Sequence, residues 1–104
     1  MKNLKLLVIA LIGTFLSLSA QAQTCKAEYS LYNSGPFYVG DTISFKNTST
    51  YNAMSRPDFI WSFGDGNNSY LFEPMHLYAK AGVYAVCLYV ADSFNNCSSV
   101  YCDS

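Results

Sequence analysis

The stretch WSFGDG, residues 61–66, joins an alternating aromatic run to a glycine-rich turn. Trp61 and Phe63 are two residues apart, which places both side chains on one face of a β-strand. Burying two such rings contributes roughly 2–3 kcal/mol each to the stability of a small domain. The two glycines allow backbone angles that residues with a Cβ avoid, and Asp65 between them can accept hydrogen bonds from backbone N–H groups. The stretch therefore predicts a core strand that ends in a tight, capped turn.

The same turn has to be tested as a calcium loop. Asp65, Asn67 and Ser69 stand at the first, third and fifth positions of such a loop. The sixth position should be glycine but is Tyr70, and the twelfth should be glutamate but is His76. These two departures argue against an EF-hand-like loop, and a looser calcium site on Asp65 is a weaker alternative. We therefore predict no metal and no other cofactor.

The rest of the chain after residue 22 has the composition of a β-sheet protein. Tyr, Phe, Thr, Val and Ser alternate in short segments that Gly, Asn, Pro and Asp interrupt, and no helical period is sustained. In the strongest segment Tyr84, Val86, Leu88 and Val90 share one face. About seven short strands of this kind predict an all-β sandwich. The predicted strands are KAEYSLY (26–32), TISFKNT (42–48), DFIWSF (58–63), SYLF (69–72), VYAVCLYVA (83–91) and CSSVYC (97–102).

Residues 1–22 have the layout of a secretory signal peptide. Lys2 and Lys5 precede an apolar run, and Ala20 and Ala22 form an A-x-A cleavage site. A permanent membrane anchor is the alternative, but the apolar run is short for a span of about 20 residues. We therefore expect cleavage, with no membrane span afterwards.

The mature part, residues 23–104, is predicted to be one small domain. Without the two lysines of the signal peptide, four basic residues oppose seven acidic ones, so its net charge is about −3. Nucleic acid is excluded as a partner because its binding needs a basic footprint. The expected location is secreted or at the cell surface, either extracellular or periplasmic.

The four cysteines, Cys25, Cys87, Cys97 and Cys102, all belong to the exported part. An even number of cysteines in a small secreted domain predicts two disulfides, and four cysteines allow three pairings. A zinc site is the rival interpretation. It is disfavoured because the chain has no C-x2-C pair and a single histidine.

Three segments together resemble a known family. GDTISFKNTS (40–49), WSFGDG (61–66) and EPMHLYAKAGVYAVCLYVAD (73–92) follow the order and spacing of a PKD domain. The resemblance covers roughly residues 25 to 104. It implies an immunoglobulin-like β-sandwich of the PKD type. It also implies an extracellular, non-catalytic role as a spacer, as a protein-interaction module or as an aid to binding a polymer.

The resemblance also assigns roles to single residues. Tyr78 stands where a tyrosine corner would place its hydroxyl against upstream backbone. His76 is expected to be a framework residue, since no Ser, Cys or carboxylate partner stands at a recognisable spacing. Gly82 is expected to form the bend into the next strand. The residues that match the motif are Trp61, Phe63, Gly64, Asp65, Gly66, Pro74, His76, Tyr78, Gly82 and Tyr84.

Within such a sandwich the first strand begins near the loop before the last strand, which favours a Cys25–Cys97 disulfide. The remaining pair, Cys87 and Cys102, would then face each other across the final hairpin. The parity of the strands raises a difficulty, however. If Val100 points inward, Cys102 does as well, whereas Cys87 points outward, so a bulge would be needed.

The predicted function is a non-catalytic extracellular module for protein interaction, adhesion or spacing on a secreted or surface protein. The alternative is a carbohydrate-binding accessory domain of a secreted polysaccharide- or protein-degrading enzyme. It is suggested by tyrosines in or near loops: Tyr32, Tyr38, Tyr51 and Tyr70. A planar row of exposed rings would favour this alternative, and scattered rings would not. The expected partner is an extracellular protein or a polysaccharide.

Catalysis by this domain is not expected. The acidic residues are scattered and lie mostly at predicted turns, where capping or solvation explains them. A sandwich of this size also has little room for a deep pocket. Asp58 or Asp65 beside His76 in a concave site would reopen the question.

Overall fold

Residues 25–104 form a sandwich of seven strands in two antiparallel sheets, which confirms the predicted fold class. These are the residues that the computed structural model describes, and the predicted signal peptide, residues 1–22, lies outside them. The strands are β1 (Tyr29–Leu31), β2 (Thr42–Asn47), β3 (Asp58–Ser62), β4 (Asn68–Ser69), β5 (Met75–Leu77), β6 (Val86–Asp92) and β7 (Cys97–Asp103). One sheet has the order β1-β2-β5 and the other the order β4-β3-β6-β7. The described residues contain no helix that is long and apolar enough to cross a membrane.

The core lies between the two sheets and is built by alternate residues of β2, β3 and β6. Trp61 is completely buried, and Phe63 beyond the end of β3 is buried beside it, as the alternation predicts. The Trp61 indole packs edge-on against Tyr29 and donates a hydrogen bond from Nε1 to the carbonyl of Leu71 at 2.9 Å. The polar group of the buried tryptophan is therefore satisfied. The other buried apolar residues are Ala27, Phe45, Val86, Leu88 and Val90.

Several strands differ from those predicted, and the strand predicted over residues 69–72 is found at Asn68–Ser69 instead. The first strand shrinks to Tyr29–Leu31, with one isolated bridge from Lys26 to Thr50. The strand predicted from residue 83 begins at Val86. Met75–Leu77, which was not predicted as a strand, pairs with β2 as β5. Three residues with exposed flanking side chains carry too little periodicity to be read from sequence, so pairing with β2 decides their conformation.

The structure contains two disulfides, Cys25–Cys97 and Cys87–Cys102, so the described cysteines offer no thiolate to zinc. Cys87 lies directly opposite Cys102 in an unbroken register of β6 and β7. The condition that would have required a bulge is not met, because Val100 points outward with 54% of its surface exposed. Its neighbour Tyr101 packs against the core instead. Cys102 therefore points outward with Cys87, and no bulge is needed.

Candidate functional site

The glycine-rich turn after β3 is closed by its own backbone and by Asp65. The N–H of Phe63 donates to the carbonyl of Asn67 at 3.1 Å. One carboxylate oxygen of Asp65, Oδ1, accepts the backbone N–H of Asn67 at 3.1 Å, and Oδ2 accepts its side-chain amide at 3.2 Å. Gly64 and Gly66 both have positive φ, +83° and +93°. The turn is possible because these two glycines adopt left-handed backbone angles, and the Asp65 carboxylate caps it.

His76 provides the partner for Asp65 that the sequence spacing did not reveal. Its Nε2 lies 2.7 Å from Oδ2 of Asp65, and both side chains are largely covered. The contact arises because β5 pairs with β2 and places Ile43 opposite His76, with the His76 side chain turned inward towards the turn. The imidazole therefore ties the turn after β3 to a strand of the other sheet.

The aromatic rings around His76 form a short stack. The imidazole lies parallel to the ring of Phe63 at 4.1 Å and edge-on to Tyr78 at 4.6 Å. Tyr78 in turn stacks on Tyr84 at 4.1 Å. The Tyr78 hydroxyl donates to the carbonyl of Phe63 at 2.7 Å, 15 residues upstream. Burial, followed by the nearby charge of Asp65, raises the pKa of Tyr78 to about 12, so this hydroxyl remains a donor at neutral pH.

The remaining residues of the sequence motif are Pro74, Gly82 and Tyr84, which lie before or after β5. Pro74 is buried, and its carbonyl accepts the N–H of Phe45 at 3.0 Å. The Tyr84 hydroxyl donates to the carbonyl of Lys80. Gly82 lies in the segment before β6, with the Tyr84 ring at ordinary contact distance from the place of a Cβ. The hydrogen bond from Tyr84 therefore stabilises the segment that joins β5 to β6.

The pH dependence of stability should report the Asp65–His76 contact. Partial burial alone would raise the pKa of Asp65, but hydrogen bonds from His76 and Asn67 together outweigh it and lower that pKa. Since the folded value lies below the unfolded value, the stabilisation is fully present above about pH 4 and is lost as pH falls through the folded pKa. We expect Asp65→Asn to lower the free energy of unfolding by about 1 kcal/mol at pH 6, and by less at pH 2–3.

This prediction is measured by urea unfolding of both proteins between pH 2 and pH 6. Asp41→Asn is the control, because that carboxylate caps a separate turn through the N–H of Tyr38. A difference between wild type and Asp65→Asn that stays constant across this range would contradict a stabilising charge on Asp65.

Asp65 and His76 lie together, but they do not line the cleft that the structure shows among residues 25–104. This cleft has a volume of about 1000 Å³. Both oxygens of the Asp65 carboxylate are occupied by hydrogen bonds within the turn and to His76. Within residues 25–104, no group of three or more His, Cys, Asp or Glu side chains is arranged to hold a metal ion. The pair therefore connects the turn after β3 to β5.

The cleft lies between β1 and the end of β7 and extends to Tyr78, whose ring contacts His76. Tyr29 forms part of its wall and donates from its hydroxyl to the carbonyl of Val86 at 2.7 Å. Burial, and then the charge of Asp103, raises the pKa of Tyr29 to about 12. The sequence pattern did not reveal this cleft, because its walls come from distant segments. The apolar and aromatic side chains that line it include Leu31, Phe37, Tyr38, Val39, Ile43, Val83 and Tyr84.

The four tyrosines that suggested sugar binding lie on different segments, and none of them is in ring contact with another. Tyr32 lies beyond β1 and reaches across to Glu73, where its hydroxyl donates to a carboxylate oxygen at 2.7 Å. Tyr38 lies at the cleft, while Tyr70 follows β4. Tyr51 is half-buried and packs edge-on against Phe59. No common plane of binding rings follows from these positions.

Two antiparallel sheets packed around a shared aromatic core define this protein as an immunoglobulin-like β-sandwich. The family model of the PKD domain matches residues 33–103. The chain belongs to the PKD domain family.

Solved structures of bacterial proteins are similar to this chain. The PKD1 domain of the Vibrio cholerae metalloprotease PrtV is 28% identical, with a TM-score of 0.59; the match covers 79% of this chain and 91% of that one. The PKD1 domain of Vibrio anguillarum Epp is 25% identical, with a TM-score of 0.63 and coverage of 80% and 92%. No curated protein sequence matches the chain.

A third structure, from a study of promiscuous carbohydrate-binding modules of the β-sandwich superfamily, has a TM-score of 0.65. It is 24% identical, and the match covers 80% of this chain but 34% of that one. At this identity the likeness concerns the fold alone.

Proposed function

We propose that this protein is a non-catalytic extracellular module that binds another macromolecule, for protein interaction, adhesion or spacing at the cell surface. The observation that carries the proposal is that neither member of the ionisable pair lines the described cleft. Asp65 and His76 hold a turn, whereas the cleft is lined mostly by apolar and aromatic side chains. A catalytic site would need an acid, base or nucleophile in mutual contact inside such a cleft, and within residues 25–104 no ion pair joins the charged side chains that line it, Asp41, Lys80 and Asp103.

The relatives support an accessory role. One of the similar structures is a PKD1 domain taken from a metalloprotease, rather than the protease domain itself. A module that accompanies an enzyme needs a stable scaffold, and the two disulfides and the buried aromatic core supply one. The proposed location is the cell surface or the medium.

Polysaccharide binding is a second candidate with one local observation in its favour. The Tyr32 ring is 60% exposed and is fixed at its hydroxyl by Glu73, while the ammonium group of Lys46 lies 5.9 Å from the ring centre. One fixed aromatic ring beside charged groups could support a sugar ring. The scattered positions of the other exposed rings provide no second support, so protein binding is the better proposal.

The test is binding of the purified, labelled, disulfide-bonded protein to cells of the organism that encodes it. We expect saturable binding that unlabelled protein displaces and that protease treatment of the cells abolishes. Binding that survives protease but is lost after polysaccharide digestion would favour the second candidate. The reduced and alkylated protein is the control for non-specific adhesion.

The same incubations are analysed for released peptides and sugars, with His76→Gln as the matched variant. Product release by wild type that His76→Gln lacks would show an enzyme and overturn the proposal. Absence of saturable binding would overturn it as well.

A further inference from the structure

One edge of β1 has backbone groups that β2 does not use. The N–H of Tyr32 donates to the carbonyl of Ser44, and the N–H of Thr48 donates to the carbonyl of Glu28. In an antiparallel ladder the residues that bond to a given neighbour recur at every second position. The even-numbered residues of β1 therefore face β2. The N–H and C=O groups of Tyr29 and Leu31 face the opposite side.

This opposite side is the one that faces β7. The N–H of Ala27, which has the same parity, donates to the hydroxyl of Ser99 in β7 at 2.9 Å. Within residues 25–104, no hydrogen bond reaches the backbone N–H or C=O of Leu31 from that side. The three residues of β1 include no lysine or proline, two of the residues with which proteins protect free strand edges. Leu31 thus presents an open donor and acceptor.

The open edge borders the cleft. All three residues of β1 line it, and the end of β7, Asp103 with Ser104, lines the other side. Val83 on the rim is 88% exposed, although it is apolar. An extended segment that paired with β1 would have its alternate side chains directed into this apolar space.

The charges of the cleft restrict its occupant further. Two carboxylates, Asp41 and Asp103, and one ammonium group, Lys80, are the charged side chains among its described lining residues. The side chains that line the cleft therefore carry one more negative charge than positive charge. A segment with a basic residue beside its apolar positions would complement it, whereas an acidic one would be repelled.

We propose that the cleft between β1 and the end of β7 is a strand-addition site for an extended segment of a partner protein. The segment pairs with the backbone of Tyr29 and Leu31, places β-branched or other apolar side chains in the cleft, and carries a lysine or arginine beside them. The inference rests on the proposed function as a binding module and adds the chemistry of the partner.

The first test uses a defined probe, the peptide Lys-Val-Thr-Val-Thr-Val-Lys, with binding followed by NMR. We expect hydrogen exchange of the Leu31 amide to slow at least about tenfold in the complex, because that N–H becomes a ladder donor. Two control peptides carry N-methyl groups, one on its valine amides and the other on its threonine amides. One of them must lose binding, since one set of amides faces β1. Equal binding of all three peptides, or no binding at all, would overturn the proposal.

The second test compares Leu31→Pro with Leu31→Ala. Replacing Leu31 by proline removes the N–H that faces away from β2 and breaks no hydrogen bond to β2. Strand edges tolerate proline at such positions. Alanine removes the same side chain and keeps the donor. We expect Leu31→Pro to bind the peptide at least about tenfold more weakly than Leu31→Ala. Equal affinities of two folded variants would overturn pairing at Leu31. If Leu31→Pro does not fold, hydrogen exchange of the Leu31 amide in the wild-type complex tests the proposal instead.

The failure of this inference is distinguishable from failure of the proposed function. If labelled protein binds cells saturably and the peptide does not compete, the module has a partner but uses another surface. If the peptide competes and protects Leu31, both proposals are supported.

Discussion

Replacing Cys25 and Cys97 by alanine is expected to lower the free energy of unfolding by about 4 kcal/mol, whereas replacing Cys87 and Cys102 should cost about 3 kcal/mol. The first disulfide closes a loop with a sequence separation of 72 and the second one of 15. The longer loop restricts the unfolded chain more, so its removal returns more conformational entropy.

The position of the first disulfide adds to this difference. Cys25 anchors the segment that carries the buried Ala27 against β7, whereas Cys87 and Cys102 are already neighbours in a paired hairpin. Urea unfolding of the two double variants and of wild type measures the effect. A larger loss on removal of Cys87–Cys102 would contradict the expected order, and an unchanged wild-type midpoint after full reduction would contradict both disulfides.

Gly64→Ala is expected to be the most damaging single substitution in the glycine-rich turn. A Cβ at this position would lie 2.6 Å from the carbonyl oxygen of Ala85, and φ is +83°. The left-handed conformation costs a residue with a Cβ about 1–2 kcal/mol. Displacing the backbone of residue 85 adds about 1–3 kcal/mol. We therefore expect a loss of about 3 kcal/mol or more.

Gly66→Ala provides a matched control for the contact. Gly66 has a similar φ of +93°, but a Cβ there would meet no atom within 4 Å. Its substitution should cost the conformational penalty alone, about 1–2 kcal/mol. Thermal or urea unfolding of both variants separates the two contributions. Equal losses would mean that the turn does not pack against Ala85.

The fold and the turn could be predicted from local patterns, whereas the contact of His76 could not. Trp61 and Phe63 could be assigned to the core because strand alternation places both side chains on one face, whichever strands pair with β3. His76 is 11 residues from Asp65 and lies in a three-residue strand with little pattern of its own. Its contact depends on pairing with β2, which no local signal encodes.

The last strand shows how a local pattern can mislead. Val100 and Tyr101 are both apolar neighbours on opposite faces of β7, so either could have been the inward residue. Packing selects Tyr101, whose ring lies edge-on to Tyr29 at 5.2 Å. That choice turns Cys102 outward towards Cys87.

The sequence by itself determined the class of protein, a PKD-type sandwich with a capped turn after its core tryptophan strand. It could do so because strand alternation, turn glycines and the order of the motifs are local properties of the chain. Only the tertiary structure decided the partner of His76, the inward face of β7, and the cleft beside the open edge of β1. Each of these depends on which strands pair and which edges remain unpaired, and that is settled by contacts between residues far apart in the sequence.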